Sequence, residues 1–197
     1  VRLRTSTIGI LAAAACVLAP ASASASTATP KRIASQQAQV GGQAFGQPNL
    51  ADTPTVPGTR ARLLPTGLAA APEQAPEAVK RAIWRANEII GLPYRYGGGH
   101  RRFKDRGYDC SGTVSYALNG GGLLDSPLDS SSFMTWGEAG TGDWITVYTN
   151  PGHAYVVIAG LRLDTSAAGD PRGGKGPRWR PVKRSDRGFQ RRHVDGL

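Results

Sequence analysis

Cysteine and histidine are scarce in this chain, and their positions limit the chemistry it can do. Among 197 residues there are two cysteines, Cys16 and Cys110, and three histidines, His100, His153 and His193. A thiol becomes an effective nucleophile as the thiolate, and its pKa falls at a helix N-terminus, where unpaired N–H groups and the helix dipole favour negative charge. Cys110 stands in Tyr108-Asp109-Cys110-Ser111-Gly112, ahead of Val114, Ala117 and Leu118. That pattern places it at the start of a short helix with Asp109 as the N-cap. The same N–H groups could hold the oxyanion of a tetrahedral intermediate. A buried structural cysteine is the commoner fate of a free thiol, but a position between two polar residues, outside any apolar run, favours catalysis.

A cysteine nucleophile needs a base and a group to orient that base. His100 lies in a basic, Gly-rich loop and His193 in Arg191-Arg192-His193, and both read as solvated. His153 opens a strand after Asn150-Pro151-Gly152, where a sheet can hold an imidazole in place, and it is the best candidate base. If Ala159-Gly160 is a two-residue hairpin turn, Ile158 faces Leu161 and Tyr155 faces Asp164. His153 and Tyr155 share a face, which sets Asp164 diagonal to His153 and within side-chain reach. Asp164 is therefore the candidate orienter, and a turn one residue longer would substitute Thr165. Such chemistry needs no cofactor or metal, and the small number of Cys and His residues argues against a zinc cluster or a disulfide-dense scaffold.

Several elements must position these groups. Ala78, Val79, Ala82, Ile83, Ala86, Ile89 and Ile90 recur at helical spacing, with Pro76 and Glu77 in the first turn and Gly91 and Pro93 as the stop. A Gly-rich loop, Tyr96-Gly97-Gly98-Gly99, and a basic insertion from His100 to Arg106 lead to the Cys110 helix. Downstream the period becomes two, predicting strands at 144–149, 153–158, 161–165, 178–182 and 189–194. Helices followed by strands predict an α+β domain, with N-terminal helices packed on an antiparallel β-sheet.

The ends of the chain read differently. Arg2 and Arg4, an apolar run from Ile8 to Ala19 and the small residues Pro20 to Ala25 have the layout of a secretory signal peptide over residues 1–25. The run is too short for the roughly 20 residues a bilayer span needs, so no stable membrane insertion is expected after cleavage. Removal of this segment takes away Cys16, a residue that could otherwise carry a lipid, and leaves Cys110 as a lone thiol outside the cytoplasm. Residues 26–75, rich in Ala, Ser, Thr, Pro, Gln and Gly, read as a flexible linker, and residues 76–197 as the folded domain.

Leu92-Pro93-Tyr94-Arg95-Tyr96-Gly97-Gly98, Tyr108-Asp109-Cys110-Ser111-Gly112, Gly142-Asp143 and Gly152-His153-Ala154-Tyr155-Val156-Val157-Ile158 resemble, in order, the motifs of the NlpC family of papain-like cell-wall cysteine peptidases. The match spans roughly residues 76–166. The resemblance implies a papain-like fold and hydrolysis of peptide bonds in peptidoglycan stem peptides, typically between D-glutamate and a diamino acid. Cys110 would be the nucleophile, His153 the general base and Asp164 the third polar residue. Tyr94 would line the site near the oxyanion, and Asp109 and Ser111 would recognise polar groups of the substrate. The chain departs from the family pattern in its acidic third residue, where histidine is common, and in the basic stretch His100 to Arg106. Two other readings use the same features: a catalytically inactive wall-binding protein, and an amidase or acyltransferase with the same Cys/His site.

The net charge is +10. Between Arg172 and Arg192 stand Arg172, Lys175, Arg178, Arg180, Lys183, Arg184, Arg187, Arg191 and Arg192 against one acid, Asp186. A run of this kind is commonly a solvated face. For an exported protein its natural partners are anionic cell-wall polymers rather than nucleic acid.

Overall fold

The computed structural model describes residues 53–170, 173–181 and 183–197. The expected signal peptide, Cys16 and the linker as far as residue 52 lie outside the described residues, as do Arg172 and Val182.

The first helix, α1 (Glu77–Asn87), buries Val79, Ala82, Ile83 and Ala86, one stripe at the spacing of an amphipathic helix. Full burial of Val79 and Ile83 contributes about 1.5–3 kcal/mol each. The helix ends before Ile89, which continues as a buried turn, and Gly91, at φ 90, turns the chain away. The second helix, α2 (Cys110–Gly120), is buried from Cys110 to Leu118. It packs against both α1 and the sheet, so it is covered on more than one face. A short third helix, α3 (Ser130–Phe133), was not foreshadowed by any period in the sequence; Asp129 caps it and Phe133 is fully buried.

The main sheet has six strands, all antiparallel to their neighbours: β4 (Glu138–Ala139), β5 (Ile145–Asn150), β6 (His153–Ile158), β7 (Leu161–Asp164), β8 (Arg178–Arg180) and β9 (Gln190–His193). Their spatial order is β4-β9-β5-β6-β7-β8. On β6, Ala154, Val156 and Ile158 enter the core shared with the helices, while Tyr155 stacks on Tyr148 of β5. The expected α+β arrangement of helices on an antiparallel sheet is therefore present, with strand ends within a few residues of those the alternation predicts. Ile158 pairs with Leu161. Ala159 and Gly160 both have positive φ, the backbone of a two-residue hairpin turn that matches strand twist.

The expected linker is corrected over residues 53–75. These residues form β1 (Thr55–Val56), β2 (Arg62–Leu63) and β3 (Ala69–Pro72), a small sheet of order β1-β3-β2. Ala69, Ala70 and Ala71 are fully buried. Asn87, the last residue of α1, fastens β3 by accepting from the Ala69 N–H (2.9 Å) and donating to the Ala69 carbonyl (2.9 Å). The same Asn87 Oδ1 also accepts from Trp179 Nε1 of β8 (2.8 Å). A run of alanines carries no amphipathic signal, yet its small side chains let the strand lie close against α1.

The basic C-terminal part also differs from a uniformly solvated face. Arg180 is buried, with Nη1 donating to Asp170 (2.7 Å) and to the Gly173 carbonyl (2.8 Å), and Nη2 to the Gly174 carbonyl (2.9 Å). Arg192 donates to the Trp136 carbonyl (2.7 Å). Lys183 and Arg187 remain exposed.

Candidate active site

Cys110 is the first residue of α2, and the turn before it is held from several directions. Asp109 Oδ1 accepts from the Gly112 N–H (2.8 Å), which caps the helix, and Oδ2 accepts from the Gly97 N–H (3.0 Å). The Asp109 N–H donates to the Gly98 carbonyl (3.3 Å). The Gly97–Gly99 loop can approach this closely because a Cβ on Gly112 would overlap the Gly98 carbonyl oxygen. The first intrahelical bond runs from the Thr113 N–H to the Asp109 carbonyl, so the N–H groups of Cys110 and Ser111 have no acceptor within the helix.

His153 begins β6 after a turn built by Asn150, whose Oδ1 accepts from the N–H groups of Gly152 (3.0 Å) and His153 (2.9 Å). Its Nε2 lies 2.9 Å from Asp164 Oδ1. An ionised carboxylate only accepts, so Nε2 carries the proton and Nδ1 is the ring atom left for the thiol. Burial disfavours the charged ring, but hydrogen bonds and charge from Asp164 and Cys110 outweigh it and raise the pKa to about 9. For the Cys110 thiol, burial acts upward. The hydrogen bond from His153, the Ala154 N–H and the charge of His153 overcome it and hold the thiol below its ordinary value. The pair therefore favours thiolate and imidazolium.

Asp164 is fully buried at the end of β7. Its Oδ1 also accepts from the Ser166 N–H (2.8 Å), and its Oδ2 from Arg184 Nη1 (3.1 Å). Arg162 Nε stands 3.7 Å from Oδ2. Burial alone would raise the carboxyl pKa; the bonds from His153, Ser166 and Arg184 hold it below the usual range. The hairpin turn places Asp164, and not Thr165, in contact with the imidazole, as the two-residue register requires.

Tyr94 is 42% exposed. Partial burial raises its phenol pKa, as does negative charge at Cys110 and Asp109, and its backbone bridges to Tyr108, two residues before the thiol. Asp109 and Ser111 are both buried, and here the expectation for His100 is corrected. His100 is not a solvated loop residue. Its Nε2 lies 3.0 Å from Asp109 Oδ1 and 3.0 Å from Ser111 Oγ, so it ties the basic insertion to the first turn of α2. The insertion folds back because Tyr108 Oη donates to the Phe103 carbonyl (2.9 Å) and accepts from the Asp105 N–H (2.9 Å), while Asp105 accepts from the Gly99 N–H (3.2 Å). His193 is likewise not free in solvent: it lies on β9 opposite Glu138, with its Nδ1 buried and without a hydrogen-bond partner among the described residues. Sequence reasoning missed His100, Arg162 and Arg184. The only signal for the first was its distance of nine residues from Asp109; Arg162 stands two residues before Asp164, and Arg184, twenty residues on, carried no local signal.

Among the described residues no group of His, Cys, Asp and Glu is arranged to hold a metal ion, and no helix is long and apolar enough to cross a membrane. The sequence matches no protein-family model and is significantly similar to no curated protein. Several solved structures have a similar fold. The peptidoglycan hydrolase RipB from Mycobacterium tuberculosis is similar over 59% of this chain and 64% of its own length, at 24% identity and a TM-score of 0.44; this chain thus spans just under two thirds of that structure. The Resuscitation Promoting Factor Interacting protein RipA is similar over 61% of this chain and 67% of its own, at 23% identity and a TM-score of 0.42. RipD from Mycobacterium tuberculosis, described as a non-catalytic NlpC/p60 domain protein adapted to peptidoglycan binding, is similar over 61% of this chain and 99% of its own, at 20% identity and a TM-score of 0.44.

Proposed function

We propose that the chain is an exported cysteine endopeptidase that cleaves peptidoglycan stem peptides at the bond between D-glutamate and a diamino acid. The observation that carries this reading is the line from the Cys110 thiol through the His153 imidazole to the buried Asp164 carboxylate, 2.9 Å from the ring. A binding protein has no need of a thiol held below its ordinary pKa at a helix N-terminus.

The steps follow from the geometry. The Cys110 thiolate attacks the scissile carbonyl carbon, and the carbonyl oxygen becomes an oxyanion facing the N–H groups of the first turn of α2, with the Tyr94 hydroxyl as a further donor. Imidazolium at His153 gives its proton to the departing amine, the C–N bond breaks and a thioester to Cys110 remains. Water then attacks the thioester as His153 takes its proton, the C–S bond breaks, and the carboxylic acid leaves with the Cys110 thiolate and His153 imidazolium restored. Asp164 holds the ring in one tautomer through both steps. Asp109, Ser111 and His100 form the polar wall beside the nucleophile. Arg95, Arg101 and Arg102 line an open cavity of about 540 Å³ with Tyr96 and Asp105, a cationic surface suited to the carboxylates of stem peptides.

Digestion of defined muropeptides with mass analysis of the products tests this reading. A free D-glutamyl carboxylate and a free diamino-acid amine are expected. Release of an intact stem peptide from the glycan would assign an amidase instead, transfer to an added amine an acyltransferase, and binding without turnover an inactive wall-binding protein.

A further inference from the structure

A second constellation, which meets the thiol site only through the arginines around Asp164, lies on the face of the sheet that carries Tyr148 and Tyr155. A cavity of about 340 Å³ opens there, lined by Arg60, Tyr155, Arg162, Arg180, Lys183 and Arg184 among others. Asp186 is the one acid of that lining among the described residues, and it is paired with Arg191. Arg180 is engaged with Asp170 and two carbonyls. Asp164 is shared between Arg162 and Arg184. Among the described residues, the positive charge of one of these two arginines, of Arg60 and of Lys183 is therefore left without a counter-charge around the cavity.

The arginines are also built in, not merely nearby. The Arg162 side chain is 3% exposed, its Nη2 donates to the Ala168 carbonyl (3.0 Å), and its Nε and Nη1 are buried without a hydrogen-bond partner among the described residues. Arg184 Nε is in the same state. Its guanidinium lies over the rings of Tyr155 and Phe189, 5.1 Å and 5.0 Å from their centroids, which fixes it in place. Buried donors without acceptors are costly, and nature rarely leaves them so. Two guanidinium groups with spare donors among the described residues, and exposed cations at Arg60 and Lys183, suit a multiply bonded oxyanion.

We propose that this cavity is a binding site for a phosphate group, either free phosphate or a phosphodiester of a polymer, separate from the thiol site and sharing Arg162 and Arg184 with the shell of Asp164. Phosphate fits better than a carboxylate because several positive charges converge from separate segments, which a tetrahedral oxyanion can meet on more than one side. The site does not depend on the hydrolytic reading.

Calorimetric titration of the full chain with inorganic phosphate and with dimethyl phosphate, at constant ionic strength, tests it. Saturable binding of at least one is expected, weakened at least tenfold in the double variant Arg60→Ala/Lys183→Ala, whose residues are exposed, with the fold checked by circular dichroism. Tighter dimethyl phosphate would identify a phosphodiester as the ligand, and tighter inorganic phosphate the free anion. No saturable binding of either, equal affinity for acetate, or unchanged binding in the double variant would overturn the assignment. Arg162→Lys, which keeps the charge but removes the fork, is expected to weaken phosphate binding with the fold retained by circular dichroism.

Discussion

Asp164→Asn preserves the side chain's shape while removing the charge that faces His153. Asp164 Oδ1 lies 2.9 Å from Nε2, and the ring's pKa stands at about 9 instead of 6.5. At about 1.4 kcal/mol per pH unit, this displacement is a preference of about 3 kcal/mol for imidazolium. Asp164 and Cys110 each raise the ring by a hydrogen bond and by charge. Removing the carboxylate takes away one of the two hydrogen bonds and one of the two charges that hold the ring up. The variant is expected to lower the His153 pKa by at least about one unit and to slow alkylation of Cys110 at about pH 6 by about tenfold. Removing the counter-charge of Arg184 also costs stability, about 3–5 kcal/mol in comparable buried pairs, so measurements belong well below the melting temperature. The assay is iodoacetamide modification followed across pH, with NMR titration of the imidazole, and Thr165→Ala as the control expected to change neither. An unchanged His153 titration with unchanged alkylation in Asp164→Asn would refute the orienting role.

Other outcomes follow from the same structure. Because the Asp164 pKa is depressed in the folded protein, its contribution to stability is complete above the ordinary value of 3.8 and is lost as pH falls below it; the melting-temperature gap between wild type and Asp164→Asn should narrow in that acid range. Asn87→Ala removes the bonds to Ala69 and to Trp179 and leaves a buried indole N–H unpaired, a loss of about 2–4 kcal/mol in denaturant unfolding, together with faster proteolysis within residues 53–75. Gly112→Ala places a methyl group on the Gly98 carbonyl; a destabilisation of about 1–3 kcal/mol should accompany slower Cys110 alkylation, since the loop that seats the first turn of α2 must shift.

Local chemistry made the site readable. Asp109 before Cys110 is a cap by residue type, and Ala159-Gly160 fixes the register that brings Asp164 to His153, so both could be argued from neighbours in the chain. The parts that were not readable depend on distant partners. Ala69 to Ala71 show no amphipathic period, and only Asn87, eighteen residues on, reveals that they belong to the core. His100 reads as solvated until the bonds around Tyr108 fold its loop onto α2. Arg162, Arg180 and Arg184 look like surface charge because their carboxylate and carbonyl partners are set by the packing of β7 and β8, not by nearby sequence.

The most direct test of the central claim is digestion of purified peptidoglycan by wild type and by Cys110→Ala, with quantification of newly released amino termini and circular dichroism of both proteins. New termini should appear with wild type and be absent with the variant while the two spectra coincide. Equal release by Cys110→Ala, with its fold intact, would contradict the assignment of Cys110 as the nucleophile.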